Sequence, residues 1–246
     1  MSEPLLRAEE LTKRFGGLLA NDRITLDVLP GEVHAVIGPN GAGKTTLIGL
    51  LSGETAADSG RIVVAGRDLT GAPVYERARF GLARSFQITS VFPQLTMLDN
   101  VLLAVQAHWR HSFRFWRPAR SIEELRRPAL DALARVGLSQ RAEVIAASAS
   151  HGERRQLEIA MALASAPKLL LLDEPTAGMG SEETARMVGV LESLKGGQAI
   201  LLIEHDMDVV FTLADRITVI VDGRLIASGP PEEIRADAAV RAAYLG

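Results

Sequence analysis

One short segment of the chain combines glycines, a lysine and a threonine in a spacing that can hold phosphate groups. Residues 38–45 have the sequence Gly-Pro-Asn-Gly-Ala-Gly-Lys-Thr, which satisfies the pattern G-x-x-x-x-G-K-[ST]. Glycines let successive backbone N–H groups point into one concavity, and a helix start adds positive partial charge there. In such a loop Lys44 bridges the outer phosphates of a nucleotide and the Thr45 hydroxyl binds Mg²⁺. A plain glycine turn is the alternative.

Two adjacent carboxylates follow an apolar run later in the chain. Residues 169–172 are four leucines, and Asp173 and Glu174 come directly after them. At the carboxyl end of a buried strand, Asp173 would support the Mg²⁺ shell and Glu174 would polarise the attacking water. A simple Asp-Glu-Pro turn is the alternative for this pair taken alone. Together with the glycine loop, the pair predicts nucleotide hydrolysis.

Short apolar runs predict the strands that position these motifs. We expect a strand over 33–37 before the glycine loop, and strands over 168–173 and 198–203. The last two are nearly continuous apolar runs, which is typical of strands buried on both faces of a parallel sheet. Alternating residues over 5–11 and 24–28 predict an N-terminal antiparallel sheet. Asp222-Gly223 predicts a type I′ hairpin between 216–221 and 224–228.

Helical patterns alternate with these strands. We expect a helix over 46–51, closed by Gly53, and further helices over 153–166, 181–194 and 207–214. Between Gln87 and about Ala147 only helices are predicted: 96–106, starting at Thr96, and 121–136, which Pro128 would kink or split. The sequence therefore predicts one α/β domain over 1–246. Its core would comprise 1–86 and 168–246, and 87–167 would form an inserted α-helical subdomain.

Composition excludes several classes of protein. The chain has 246 residues, 47% of them apolar and 23% charged, as in soluble globular proteins. Cysteine is absent, which excludes disulfides and thiol catalysis, and the net charge of −3 gives no general basic excess for nucleic acid. No apolar run is long enough to cross a bilayer, and the N-terminus lacks the pattern of a secretory signal. We expect a cytosolic protein.

Three further features give the chain a family resemblance. Gln87 follows Arg84-Ser85-Phe86, residues 149–153 are Ala-Ser-His-Gly-Glu, and His205 follows a predicted buried strand. With the glycine loop and the paired carboxylates, these features resemble the ATP-binding subunits of ABC transporters. That family usually has Leu-Ser-Gly-Gly-Gln where residues 149–153 stand, so Ser150 and Gly152 match and the other positions depart. Gly180 also departs, since the family typically has Asp or Asn there.

The resemblance implies an ABC-type P-loop NTPase fold, ATP and Mg²⁺ as cofactors, and a role for each matching residue. Glu174, His205, Lys44 and Gln87 would be catalytic, and Thr45, Gln87 and Asp173 would hold the metal. The residues expected to bind the nucleotide are Phe15, Asn40, Gly41, Ala42, Gly43, Lys44, Thr45, Thr46, Ser150 and Gly152. Ser150 and Gly152 would contact the γ-phosphate held by the other subunit of a head-to-tail dimer. Phe15 would stack on adenine, and a core phenylalanine is the alternative.

Sequence segments outside the predicted ATP site resemble those of one subgroup, the branched-chain amino acid importer ATPases. The matching segments are residues 154–160, residues 204–207 and the C-terminal stretch from residue 231. The resemblance implies two transmembrane permease subunits, a second ABC ATPase chain and, indirectly, a periplasmic or extracellular substrate-binding protein. It also implies a cytoplasmic location on the inner face of the membrane and no nucleic-acid partner. The alternatives are a urea or amide importer, a lipopolysaccharide-type exporter and a non-transport assembly ATPase.

Residues 108–120 form a segment rich in arginine and aromatic side chains. It holds both tryptophans, two of the seven phenylalanines and four arginines. Packing at the tip of a helical hairpin, contact with a permease or lipid headgroups, and nucleic-acid binding are all compatible with this composition.

Overall fold

The computed structural model describes residues 3–84, 91–108 and 118–245. Gln87 and nine residues of the arginine- and aromatic-rich segment, 109–117, lie outside the described residues. Contacts divide the chain into two compact units. The first comprises Met1–Arg84, Lys168–Glu174 and Lys195–Gly246, and the second comprises Ser85–Pro167 and Pro175–Leu194.

Ten strands are found in the described residues, and all of them belong to the first unit. They are β1 (Leu6–Phe15), β2 (Leu18–Val28), β3 (Val33–Ile37), β4 (Ser59–Val64), β5 (Arg67–Asp68), β6 (Leu82–Arg84), β7 (Leu169–Asp173), β8 (Ala199–Ile203), β9 (Arg216–Val221) and β10 (Arg224–Gly229). Nine α-helices are found there too: α1 (Lys44–Ser52), α2 (Val74–Arg79), α3 (Met97–His108), α4 (Glu123–Arg135), α5 (His151–Leu163), α6 (Ser181–Leu194), α7 (Met207–Leu213), α8 (Pro231–Ala236) and α9 (Ala238–Leu245). Among the described residues, no helix has the length and apolar character needed to cross a membrane.

The larger sheet has the strand order β10-β9-β3-β8-β7-β6, and only β10 runs antiparallel to its neighbour. Every residue of β3, β7 and β8 is buried, as their apolar runs predicted. The predicted hairpin is confirmed, because Asp222 and Gly223 both have positive φ, 47° and 75°. The mostly parallel core sheet is therefore confirmed.

The smaller sheet has the order β2-β1-β4-β5 and is antiparallel throughout. It confirms the expected N-terminal antiparallel sheet. β1 continues to Phe15, beyond the predicted end at Leu11, because it lies between β2 and β4 and pairs with both. The apolar faces of the smaller sheet and of α1 share one hydrophobic core with the larger sheet.

The second unit contains α3 to α6. The helix predicted over 121–136 is one continuous helix through Pro128, so the expected split does not occur. Residues 175–194, which we expected to belong to the core, group with this unit instead. The reason is α6, whose Glu183 binds the start of α5 and whose inner face buries Met187, Leu191 and Leu194.

Candidate nucleotide-binding site

The glycine loop joins β3 to α1, as predicted. Gly43 adopts φ 98°, and a Cβ built on it would lie 2.2 Å from the Ala20 carbonyl oxygen, so only glycine fits. Along the loop and the first turn of α1, Ala42 and Lys44 are buried, Gly43 and Thr46 are half-buried, and Asn40, Gly41 and Thr45 are exposed. The loop thus presents its backbone and the Thr45 side chain to solvent.

The start of α1 is suited to an anion. Within the described part of the chain no side chain caps its first N–H groups, and its first turn carries no acidic residue. Uncapped N–H groups and the helix dipole together favour a phosphate there. The buried Lys44 ammonium donates to the carbonyls of Gly38 (2.7 Å) and Pro39 (3.0 Å). Burial lowers the pKa of Lys44, while the carboxylates of Glu174 and Asp173 oppose that shift.

Asp173 ends β7 with only 3% of its surface exposed. Arg84 Nη2 donates to its Oδ2 at 3.3 Å, whereas its buried Oδ1 has no hydrogen-bond partner in the described part of the chain. Burial raises the pKa of Asp173, and Arg84 acts against that rise. A buried carboxylate oxygen without a donor is a position that a cation would satisfy.

Arg84 is a site residue that sequence reasoning did not single out. It is the last residue of β6, which pairs with β7, and its side chain is 8% exposed. Its guanidinium also pairs with Glu54, shortly after α1, so it links the two elements that carry the phosphate loop and the carboxylates. The only sequence signal was its place ahead of Gln87, because its partners are distant in the chain.

Glu174 and His205 lie at the ends of neighbouring parallel strands. Asp173 is in register with Ile203, so both chain segments leave the sheet at the same edge. The Glu174 N–H donates to the Ile203 carbonyl at 2.9 Å, and Glu174 has the strained φ of 48°. His205 Nδ1 lies 3.9 Å from Glu174 Oε1. The structure therefore brings Lys44, Asp173, Glu174 and His205 to one region of the first unit.

The donor set fits Mg²⁺. The described residues contain no cluster of three or more His, Asp or Glu side chains that could hold a metal by themselves. Instead the region offers the free oxygen of Asp173 and the Thr45 hydroxyl beside a phosphate loop. Mg²⁺ is commonly bound by one or two protein oxygens and completed by substrate phosphates and water. Gln87, the third expected ligand, lies outside the described residues.

Phe15 ends β1 with 51% of its surface exposed. The alternative of a core phenylalanine is therefore wrong. Lys13 Nζ lies 5.4 Å from the centre of its ring. An exposed aromatic face beside a cation is available for stacking on a planar base.

The segment 149–153 lies in the second unit and starts α5. Ser150 is the N-cap of that helix: its Oγ accepts from Glu153 N at 3.2 Å, and Glu153 Oε2 accepts from Ser150 N at 3.0 Å. Glu183 was not predicted to be here, yet its Oε1 accepts from Ser150 Oγ (2.8 Å) and Gly152 N (3.2 Å). These bonds lower the pKa of Glu183, the Ser150 bond most. His151, which differs from the Leu-Ser-Gly-Gly-Gln pattern, has its Nε2 3.2 Å from the Ala177 carbonyl oxygen.

Comparisons with known proteins agree on one family. Residues 21–177 match the family model described as ABC transporter, and residues 224–246 match the model described as branched-chain amino acid ATP-binding cassette transporter. The high-affinity branched-chain amino acid transport ATP-binding protein LivG of Escherichia coli (strain K12) is 38% identical, covering 100% of this chain and 99% of the relative. BraF of Pseudomonas aeruginosa, of the same description, is 39% identical with the same coverage. The crystal structure of MJ1267, an ATP-binding cassette of an ABC transporter in its ADP conformation, has a TM-score of 0.87 and 30% identity over 100% of both chains.

Proposed function

Because this chain belongs to the ABC transporter family of ATP-binding proteins, we propose that it is the ATP-hydrolysing subunit of an importer for branched-chain or other hydrophobic amino acids. Its relatives of that description align end to end with it, and its C-terminal residues 224–246 match a model of the same description. The observation that carries the hydrolytic role is the convergence of Lys44, Asp173, Glu174 and His205 beside one glycine loop.

ATP would bind through the loop between β3 and α1. The uncapped N–H groups of α1 and the Lys44 ammonium neutralise the phosphates, and Lys44 exchanges its loop carbonyls for phosphate oxygens. Asn40, Gly41 and Ala42 would contribute the loop backbone, with Gly43, Thr45 and Thr46 at the start of α1. Phe15 would stack on adenine.

Hydrolysis would depend on Glu174 as the base that polarises the attacking water. Its strained backbone and its place after β7 aim it toward the same edge as His205, which would contact the γ-phosphate. Bound Mg²⁺ supplies charge neutralisation of the phosphates, and Thr45, Asp173 and Gln87 would hold it. Arg84 would keep one oxygen of Asp173 occupied so that the other stays turned toward the metal.

Two copies of the cassette would complete each site. In this arrangement Ser150 and Gly152 of one subunit close on the γ-phosphate bound to the other, and ATP drives closure of the dimer. Closure would be transmitted to two separate permease subunits through the Gln87 region and the helical subdomain, here proposed as residues 87–167. The second ATPase is another copy or a second ABC chain, and an external substrate-binding protein delivers the amino acid. We place the chain in the cytoplasm, on the inner face of the membrane.

A pull-down from native membranes tests this function. The tagged chain is recovered from detergent-solubilised membranes, and co-purifying proteins are identified by mass spectrometry, with an untagged chain as control. We expect two polytopic permeases and an ABC ATPase partner. Recovery of soluble proteins alone, from membranes in which other complexes survive, would contradict the importer and favour an assembly ATPase. Uptake of radiolabelled leucine and urea by vesicles that contain the reconstituted complex then distinguishes the two cargo classes.

A further inference from the structure

The start of α5 already holds an anion from its own chain. Glu183 Oε1 accepts hydrogen bonds from the Ser150 hydroxyl at 2.8 Å and from the Gly152 N–H at 3.2 Å. Glu183 belongs to the first turn of α6, thirty-three residues away from Ser150 in the sequence. The contact is therefore tertiary and not part of the local cap of α5, which Ser150 and Glu153 form between themselves.

These two donors are the ones assigned above to the γ-phosphate of the opposite subunit. A serine hydroxyl has one hydrogen to donate and a backbone amide has one, and both are used by Glu183. A carboxylate and a phosphate at the same donors would also repel each other at short range. Glu183 and a bound γ-phosphate therefore exclude one another at this helix start.

We infer that Glu183 is an internal competitor for the γ-phosphate and sets the ATP concentration at which the dimer closes. The inference rests on the proposed function, since it needs a phosphate that arrives at Ser150 and Gly152. In the open state Glu183 satisfies the helix start; in the closed state the phosphate replaces it. The carboxylate thus stabilises the open state relative to the closed one.

The structure also provides room for Glu183 after displacement. A cavity of about 410 Å³ adjoins it within the second unit, lined by Arg141, Gln156 and Arg186 among others. Arg186 lies one helical turn beyond Glu183 on α6, where side chains at i and i+3 are neighbours. Arg186 already favours the ionised form of Glu183 through its charge. A displaced carboxylate would therefore find a cation instead of an apolar surface.

The test uses the full chain carrying Glu174→Gln, which should bind ATP without consuming it. We compare Glu183→Ala and Glu183→Gln with the matched control Glu182→Ala, which removes the neighbouring acid of the same helical turn. ATP-induced dimerisation is followed by light scattering, and ATP binding to the monomer by a fluorescent nucleotide. We expect Glu183→Ala to lower the ATP concentration for half-maximal dimerisation about three- to tenfold, the effect of losing one or two competing hydrogen bonds. Glu183→Gln should lower it less, since an amide oxygen still accepts both bonds.

The outcomes separate this inference from the proposed function. If Glu183→Ala behaves like Glu182→Ala, or needs more ATP, the competitor role is wrong although dimerisation itself stands. If the Glu174→Gln chain binds nucleotide but forms no dimer at any ATP concentration, the phosphate never reaches Ser150 in a second copy and the inference falls. Loss of nucleotide binding itself would contradict the proposed function. A carboxyl NMR titration verifies the contact independently: Ser150→Ala should raise the pKa of Glu183 toward its ordinary value, and an unchanged pKa would contradict the contact.

Discussion

We propose that two helices of this protein begin at positions that meet phosphate, and the surroundings of the two helix starts differ. Among the residues that the structure describes, no side chain caps the start of α1, and its first turn holds no acid. The start of α5 has a reciprocal cap between Ser150 and Glu153 and also binds the carboxylate of Glu183. The first helix start is therefore available to an external anion, whereas under our inference the second would exchange the Glu183 carboxylate for a phosphate.

Under our proposal, the difference separates nucleotide binding from dimer closure. A bare helix start beside Lys44 and a glycine loop favours nucleotide whenever it is present. Under our inference, the occupied start of α5 would bind phosphate only when the phosphate outcompetes the Glu183 carboxylate, which would add a threshold in ATP concentration. We expect α1 to determine the affinity of the monomer for ATP and α5 to determine the ATP dependence of the dimer.

The largest expected effect comes from a substitution that removes the catalytic base and leaves both helix starts unchanged. Glu174→Gln deletes the base while the glycine loop and Lys44 remain. Turnover should fall about 10²- to 10⁴-fold, the usual contribution of a positioned general base. Steady-state phosphate release gives the rate, and fluorescent-nucleotide titration should show unchanged binding. Turnover close to that of the unsubstituted chain would contradict the role of Glu174.

Substitution of one glycine at each helix start compares their backbones directly. Gly43→Ala forces a left-handed residue and places Cβ 2.2 Å from the Ala20 carbonyl oxygen, so unfolding free energy should fall by about 4 kcal/mol. Gly152→Ala places Cβ 3.0 Å from the carboxyl end of Glu183, which can move, and 3.3 Å from its Cβ, so unfolding free energy should fall by only about 1 kcal/mol, the value of a displaced hydrogen bond. Urea unfolding measures both. Equal losses of unfolding free energy would contradict the difference between the start of α1, which backbone atoms enclose, and the start of α5, which the Glu183 side chain covers.

Lowering the pH should reduce the unfolding free energy of the first unit, whereas the hydrogen bonds that Glu183 accepts should persist. His34 is buried in β3, between the Asp27 carbonyl (2.8 Å) and Thr218 Oγ1 (2.7 Å). Burial, aided by the Arg216 charge, lowers the pKa of His34 from 6.5 to about 4. Between these values the unfolded chain binds a proton that the folded chain does not, so stability falls as pH drops, by about 3 kcal/mol in total.

The measurement is the unfolding free energy at pH values from 7 to 4, compared with the same series for His34→Gln. The substituted chain should lose this part of the pH dependence. Over most of the same range Glu183 stays ionised, because its hydrogen bonds hold its pKa below the ordinary 4.5. Equal slopes for both chains would contradict the assignment to His34.

The smallest expected effect concerns the metal side of the α1 site. Arg84→Gln removes the charge that holds Asp173 Oδ2. The affinity of the chain for Mg²⁺ with ADP should fall about tenfold, as for other residues that orient a metal ligand, while ADP without Mg²⁺ binds as before. Calorimetry with and without Mg²⁺ separates the two. An equal fall in both affinities would indicate a purely structural role for Arg84.

Several elements could be predicted because their signals are local. The glycine loop, the apolar runs of β7 and β8, and the Asp222-Gly223 turn each specify their own backbone within a few residues. The order of motifs along the chain resembles that of ABC transporter ATP-binding subunits, and that resemblance was what predicted an ABC-type fold. The roles of Lys44, Thr45, Asp173, Glu174 and His205 remain predictions with supporting geometry.

Other elements gave no usable sequence signal. α2 has six residues, and its Arg77 is buried and donates to the carbonyls of Leu50 and Leu51 at the end of α1. No sequence periodicity predicts a buried arginine that donates hydrogen bonds to backbone carbonyls of another helix. β6 has only three residues, and its place at the edge of the larger sheet follows from its pairing with β7.

By itself, the sequence determined which residues could meet phosphate and water, because loop glycines, strand ends and helix starts are set by neighbours in the chain. Only the tertiary structure determined which of those positions already binds a side chain of the same protein. Arg84 meets Asp173 and Glu183 meets Ser150 across long sequence separations. Such contacts depend on how strands and helices pack, so no local pattern encodes them. The bare start of α1 and the occupied start of α5 are therefore properties of the folded chain.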